Sequence, residues 1–146
     1  TCLENIEPDH KLFAALSKRM LTSLKDEATT ANHVAAQIRG ISNAHNEEAK
    51  RDLLLAVLAT PHAQEAEVLA AIATRCSISL RFPELLNPYL EALAVGKSGQ
   101  VGFSRILADL MFMPDLRALI LHVFRNPDRS EKLSGAIGQM FGGNLS

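Results

Sequence analysis

Apolar residues in this chain recur with helical spacing. Leu12, Phe13, Leu16, Met20 and Leu24 share one helical face, while Lys11, Lys18 and Lys25 repeat every seven residues on another. The pattern predicts a first helix from Pro8 to Leu24. Thr29 or Thr30 caps a second carrying Val34, Ala35 and Ile38, which Gly40 interrupts or ends. Asn46 followed by Glu47 and Glu48 suits a third start, because a short polar cap and early carboxylates complement unpaired N–H groups. Leu53 through Ala59 is apolar on every side, so other helices should enclose it.

Prolines punctuate the rest, since a proline is tolerated in a first helical turn and costly deeper inside. Pro8, Pro61, Pro88, Pro114 and Pro127 each precede a helical pattern. Thr60-Pro61 opens a fourth helix with Val68, Leu69, Ile72 and Ala73 inward. Cys76 to Phe82 holds the one β-like fragment, Ser77 to Leu80, and reads as a connector. Phe82-Pro83 and Asn87-Pro88 bracket a turn before a helix with Tyr89, Leu90, Leu93 and Val95. Gly96, Gly99 and Gly102 loosen the next connection, and helices follow over Phe103 to Met113 and Leu116 to Arg125. Asn126-Pro127-Asp128 starts the last, with Leu133, Ile137, Met140 and Phe141 inward, and Gly142-Gly143 ends it.

The expected architecture is all-α, a compact bundle of seven or eight helices in one domain over 1–146. The core is expected to include Leu16, Leu54, Leu58, Leu69, Ile72, Leu107, Leu110, Leu119, Ile120, Ile137 and Phe141. A helical-hairpin stack is the alternative, because Pro61, Pro88 and Pro114 lie 27 and 26 residues apart. Ile106 to Phe124 is long enough to span a bilayer, but Asp109, Asp115 and Arg117 would be costly there and Pro114 splits it. A helical hairpin at the centre of the core accounts for these residues better.

Composition adds exclusions. Hydrophobic residues are 47% and charged residues 21%, which excludes a disordered tail. Fifteen Lys and Arg against 16 Asp and Glu leave no global field for nucleic acid or anionic membrane. Two cysteines, Cys2 and Cys76, are too few for a disulfide scaffold. No basic stretch leads into an apolar run near the start, so a soluble chain without a visible signal peptide is expected. Opening at Thr1, it reads as a fragment or processed form.

Candidate chemistry is thin. Gly96-Lys97-Ser98 ends as phosphate-binding loops end, but position 91 is Glu91 where the motif needs glycine, and no strand precedes it. The five histidines, His10, His33, His45, His62 and His122, show no i, i+3 or i, i+4 pairing for a metal, and neither metal nor cofactor is expected. Cys76 could act as a nucleophile with His62, yet 14 residues of helix would separate them by about 21 Å. A core thiol is the plainer reading. Asn144-Leu145-Ser146 is too slight a signal to imply a glycan.

Binding surfaces offer more. Ala31 to Leu54 resembles a helix-turn-helix in outline, with Arg39, Lys50 and Arg51 the nearby cations, although Glu47 and Glu48 would face the phosphates. Lys11, Lys18, Arg19 and Lys25 form a basic stripe, either a solvated face or a partner site. Met111, Phe112 and Met113 cannot all point inward, because each helical residue turns by about 100°. One of them should be an exposed anchor.

The leading expectation is a non-catalytic module that binds another protein, serving a regulator, adaptor or secreted bacterial effector. Met111, Phe112, Met113, Lys11, Lys18 and Lys25 are its candidate contacts. A nucleic-acid-binding regulator built on the Ala31–Leu54 hairpin is the alternative, with an enzyme assembled from distant residues the third. Compartment and oligomeric state stay open.

Overall fold

The structure, a computed structural model, describes residues 10–26, 28–44 and 46–142. Among these it is all-helical: α1 (His10–Leu24), α2 (Ala31–Ile41), α3 (Glu47–Leu58), α4 (Ala66–Arg75), α5 (Pro83–Ala94), α6 (Gly99–Met111), α7 (Pro114–Phe124) and α8 (Glu131–Gly142). Two 3-10 turns, Pro61–Gln64 and Ser79–Arg81, interrupt the connections on either side of α4. No strand occurs among the described residues, and the Cys76–Phe82 segment is a connector. No described helix is long and apolar enough to cross a membrane.

Local chemistry sets most helix starts. The Thr30 hydroxyl accepts from the His33 N–H at 3.2 Å, and Asn46 Oδ1 accepts from the Ala49 N–H at 3.0 Å. Pro83 and Pro114 open α5 and α7 in the first turn, where no N–H is missed. At α8 the Ser130 hydroxyl accepts from the Leu133 N–H at 3.1 Å. Glu91 of α5 in turn accepts from both the Ser130 N–H and its hydroxyl, fastening the start of α8 to α5.

The helices form a compact bundle with α5 at its centre, packed against α3, α6, α7 and α8 and both 3-10 turns. Leu85, Leu86, Tyr89, Leu90 and Leu93 are all buried on it. The Tyr89 hydroxyl donates to the Leu69 carbonyl at 2.7 Å, tying α5 to α4, and burial raises its pKa above the ordinary phenol value. Beside this centre α2 lies between α1 and α4, burying Val34, Ala35, Ile38 and Ile41.

Several expectations change. Pro88 lies inside α5, whose start is Pro83, so no turn separates them. Its missing N–H leaves the carbonyl of exposed Glu84 to water, which makes the site tolerable. Pro61 opens only a 3-10 turn, and the 26- and 27-residue intervals therefore do not mark helix starts. Gly40 stays within α2, and α6 begins at Gly99, whose φ of +68° is open to glycine at little cost. Asn126 caps a turn through the Asp128 N–H and the last helix waits for Ser130.

In the core, Leu54, Leu69, Ile72, Leu107, Leu110 and Ile120 are buried as expected. Leu16, Leu58, Leu119 and Ile137 are half-buried against them, so the α3 segment from Leu53 is not enclosed all round. Phe141 is 54% exposed and meets Phe124 edge-on, with ring centroids 5.8 Å apart. The α6–α7 hairpin flanks α5, which holds the central place. Pro8 and Cys2, like the Asn144 sequon, lie outside the described residues.

Candidate functional site

The shortest connection between two α-helices among the described residues, Phe112 and Met113, joins α6 to α7. Phe112 closes α6 in helical conformation, and its N–H donates to the Asp109 carbonyl at 3.3 Å. Met113 must precede Pro114, whose ring disfavours helical geometry in the residue before it. It is extended accordingly, with φ −89° and ψ 115°, and α7 starts at once. Met111 and Met113 turn in against the core, while Phe112 points out with 85% of its surface exposed.

Grooves flank this turn. On the α7 side, Met111, Phe112, Pro114, Arg117, Ala118 and Leu121 line a depression of about 260 Å³. On the α4 side, Ala70, Ala73, Ile106, Leu110 and Met113 form the apolar part of a wider groove of about 480 Å³, with Arg105 and Asp109 also lining it. A protruding aromatic between two apolar depressions can anchor in a partner's pocket, or be embraced by one.

Lys11, Lys18, Arg19 and Lys25 are all exposed at α1. The principal packing partners of α1 are α2 and α3, whereas those of α6 are α4, α5, α7 and α8. The basic stripe thus lies on α1 and the Met111–Met113 turn at the α6–α7 connection, on helices that are not principal packing partners of each other.

The helix-turn-helix cations are placed differently from their sequence reading. Lys50 is buried, its ammonium 2.7 Å from Glu47 Oε1 and donating to the Ser42 carbonyl at 3.0 Å. Arg51 stacks over Phe82, 4.8 Å from the ring centroid. Arg39 is half-buried and engaged within the chain. The principal packing partners of α2 are α1 and α4, while α3 packs on α1 and α5, so this segment is no simple antiparallel pair.

Lys50 also belongs to a polar cluster that the sequence reading missed. Ser79 is fully buried and its hydroxyl donates to Glu47 Oε2 at 3.0 Å, joining α3 to the second 3-10 turn. Cys76 lies in the same electrostatic neighbourhood. Burial pushes its thiol up to about 11, only partly countered by Lys50, so it is a protonated core thiol near neutral pH. Cys76 stands at the far end of α4 from the turn that carries His62. The i, i+3 spacing of Glu47 and Lys50 was the available sequence signal, but it does not report burial.

The Gly96-Lys97-Ser98 segment is a turn between α5 and α6 with its lysine already engaged. Lys97 Nζ is 2.5 Å from Glu65 Oε1, and the Lys97 N–H donates to the Gln64 carbonyl at 2.8 Å. Among the described residues no group of three or more His, Cys, Asp or Glu side chains could hold a metal ion.

A protein-family model described as a protein of unknown function, DUF3549, matches residues 1–141. The chain belongs to the DUF3549 family. No curated protein and no solved structure matches it. Among the described residues of this family member, Phe112 is the most exposed large hydrophobic side chain.

Proposed function

We propose that this DUF3549 chain is a non-catalytic helical module that docks another protein through the α6–α7 turn. The observation that supports it is Phe112, a large aromatic held almost wholly in solvent by a proline-enforced turn and flanked by apolar grooves. Leaving such a ring in water has no stabilising return for the isolated fold, whereas seating it in a partner's pocket contributes about 1.5–3 kcal/mol of apolar burial. Service in a regulator, adaptor or effector remains part of this proposal. The nucleic-acid reading of the Ala31–Leu54 hairpin has less behind it, since none of Arg39, Lys50 and Arg51 is exposed.

The test compares capture from a lysate of the source cells by the wild-type chain and by Phe112→Asp. Phe112 makes the better probe than Met113, which packs against the core and whose loss would perturb folding. Both chains should show matching urea midpoints. A protein retained by the wild type and lost from Phe112→Asp supports the proposal. Identical retained sets from the two chains overturn it.

A further inference from the structure

The outward face of α6 carries an order of residues that is complementary to itself when reversed. Val101, Arg105, Ala108, Asp109 and Phe112 are all exposed, while Phe103, Leu107 and Leu110 face the core. At 100° per residue the five exposed positions fall within an arc of about 100°, and they span about 16 Å along the axis. Val101 is 74% exposed and stands at the opposite end of this stripe from Phe112. Arg105 and Asp109 lie between them, and neither forms an ion pair within the chain among the described residues.

We propose, resting on the docking reading above, that the protein seated on this surface is a second copy of the chain, with the two α6 helices antiparallel about a two-fold axis at the level of Leu107. That register puts Arg105 level with the second copy's Asp109, and Asp109 level with the second copy's Arg105. Val101 falls within one residue's rise of the level of the second copy's Phe112, at both ends. Ala108 sits beside the axis, where a small side chain lets two helices approach closely. A parallel pairing would set Arg105 against Arg105 and Asp109 against Asp109, so charge selects the antiparallel arrangement. One helix face is smaller than a standard interface, so the dimer is a weak one, with dissociation in roughly the high-micromolar range.

Sedimentation of the 146-residue chain over a concentration series tests this, with Arg105→Asp and Asp109→Arg as variants. The wild type should pass from monomer to dimer. Each single reversal creates two like-charge pairs and should weaken association by about tenfold or more. An equimolar mixture of the two variants restores both opposite-charge pairs and should regain wild-type association, which also shows that each variant is folded. A wild type that stays monomeric to about 1 mM, or variants that associate as it does, overturns the dimer. A monomeric wild type that still captures a different protein through Phe112 overturns the dimer and leaves the docking reading standing.

Discussion

Lys50→Met should destabilise the fold measurably because the structure removes its charge from water and supplies partners for it. The Lys50 side chain is 5% exposed and Glu47 is 33% exposed, with 2.7 Å between the charged atoms. Breaking a fully buried pair by deleting one member costs about 3–5 kcal/mol. Here the stranded carboxylate keeps the Ser79 hydroxyl and part of its hydration, and methionine preserves most of the aliphatic packing. The Ser42 carbonyl also loses a charged donor, a bond of about 1.5–3 kcal/mol. Together these place the loss at about 2–3 kcal/mol, a large fraction of a typical stability of about 5–15 kcal/mol. Urea unfolding followed by circular dichroism reads it as a lowered midpoint at unchanged slope. Lys50→Met combined with Glu47→Gln should cost less than the two single changes summed, because the double variant leaves no lone charge. Wild-type stability in Lys50→Met would refute the reasoning, showing that the pair does not hold the α2–α3 junction.

Leu54→Ala should cost about 3–4 kcal/mol and half-buried Leu58→Ala about 1–2 kcal/mol, while Lys18→Ala on the exposed face of α1 should stay within about 0.5 kcal/mol; equal urea midpoints for the leucine variants would contradict their burial. Tyr89→Phe should cost about 1 kcal/mol by losing its bond to the Leu69 carbonyl, measured in the same assay. In a Cys2→Ser background, Cys76 should resist a thiol reagent at pH 8 until urea unfolds the chain, and rapid labelling of the native state would place it at the surface. Because the folded-state thiol pKa of about 11 lies above the unfolded value near 9, the unfolded state loses its proton first. The stability this group contributes is therefore present below about pH 9 and lost as pH rises towards 11, which unfolding midpoints across that window can follow.

Helix chemistry was largely written in the chain. Thr30 and Asn46 cap where a short polar side chain meets an apolar period, because capping needs only residues within one turn. Pro114 is equally local: it ends α6 and opens α7 through its own ring. Pro88 shows where local rules stop, since its place inside α5 depends on water reaching one carbonyl, which the neighbouring helices decide. Ser130 displaced Asn126 as the start of α8 for a similar reason, with Glu91 reaching over from α5, 39 residues earlier.

The same division runs through the candidate site. Three adjacent large apolar residues guaranteed that one would be pushed outward, a consequence of 100° per residue alone. That it is Phe112 follows from the core lying on the side of Met111 and Met113, which only the packed helices specify. Phe141 kept the expected period yet stayed 54% exposed, its ring meeting Phe124 of α7 edge-on instead of entering the core. Lys50 is the sharpest case. Its sequence neighbourhood offers a charge that could meet solvent or phosphate equally well, and α2, α3 and the Ser79 turn converge to withdraw it from both. Periodicity and capping act over a few residues and survive in the sequence; burial is a property of what comes to lie across from a side chain, and that is settled by contacts far apart along the chain.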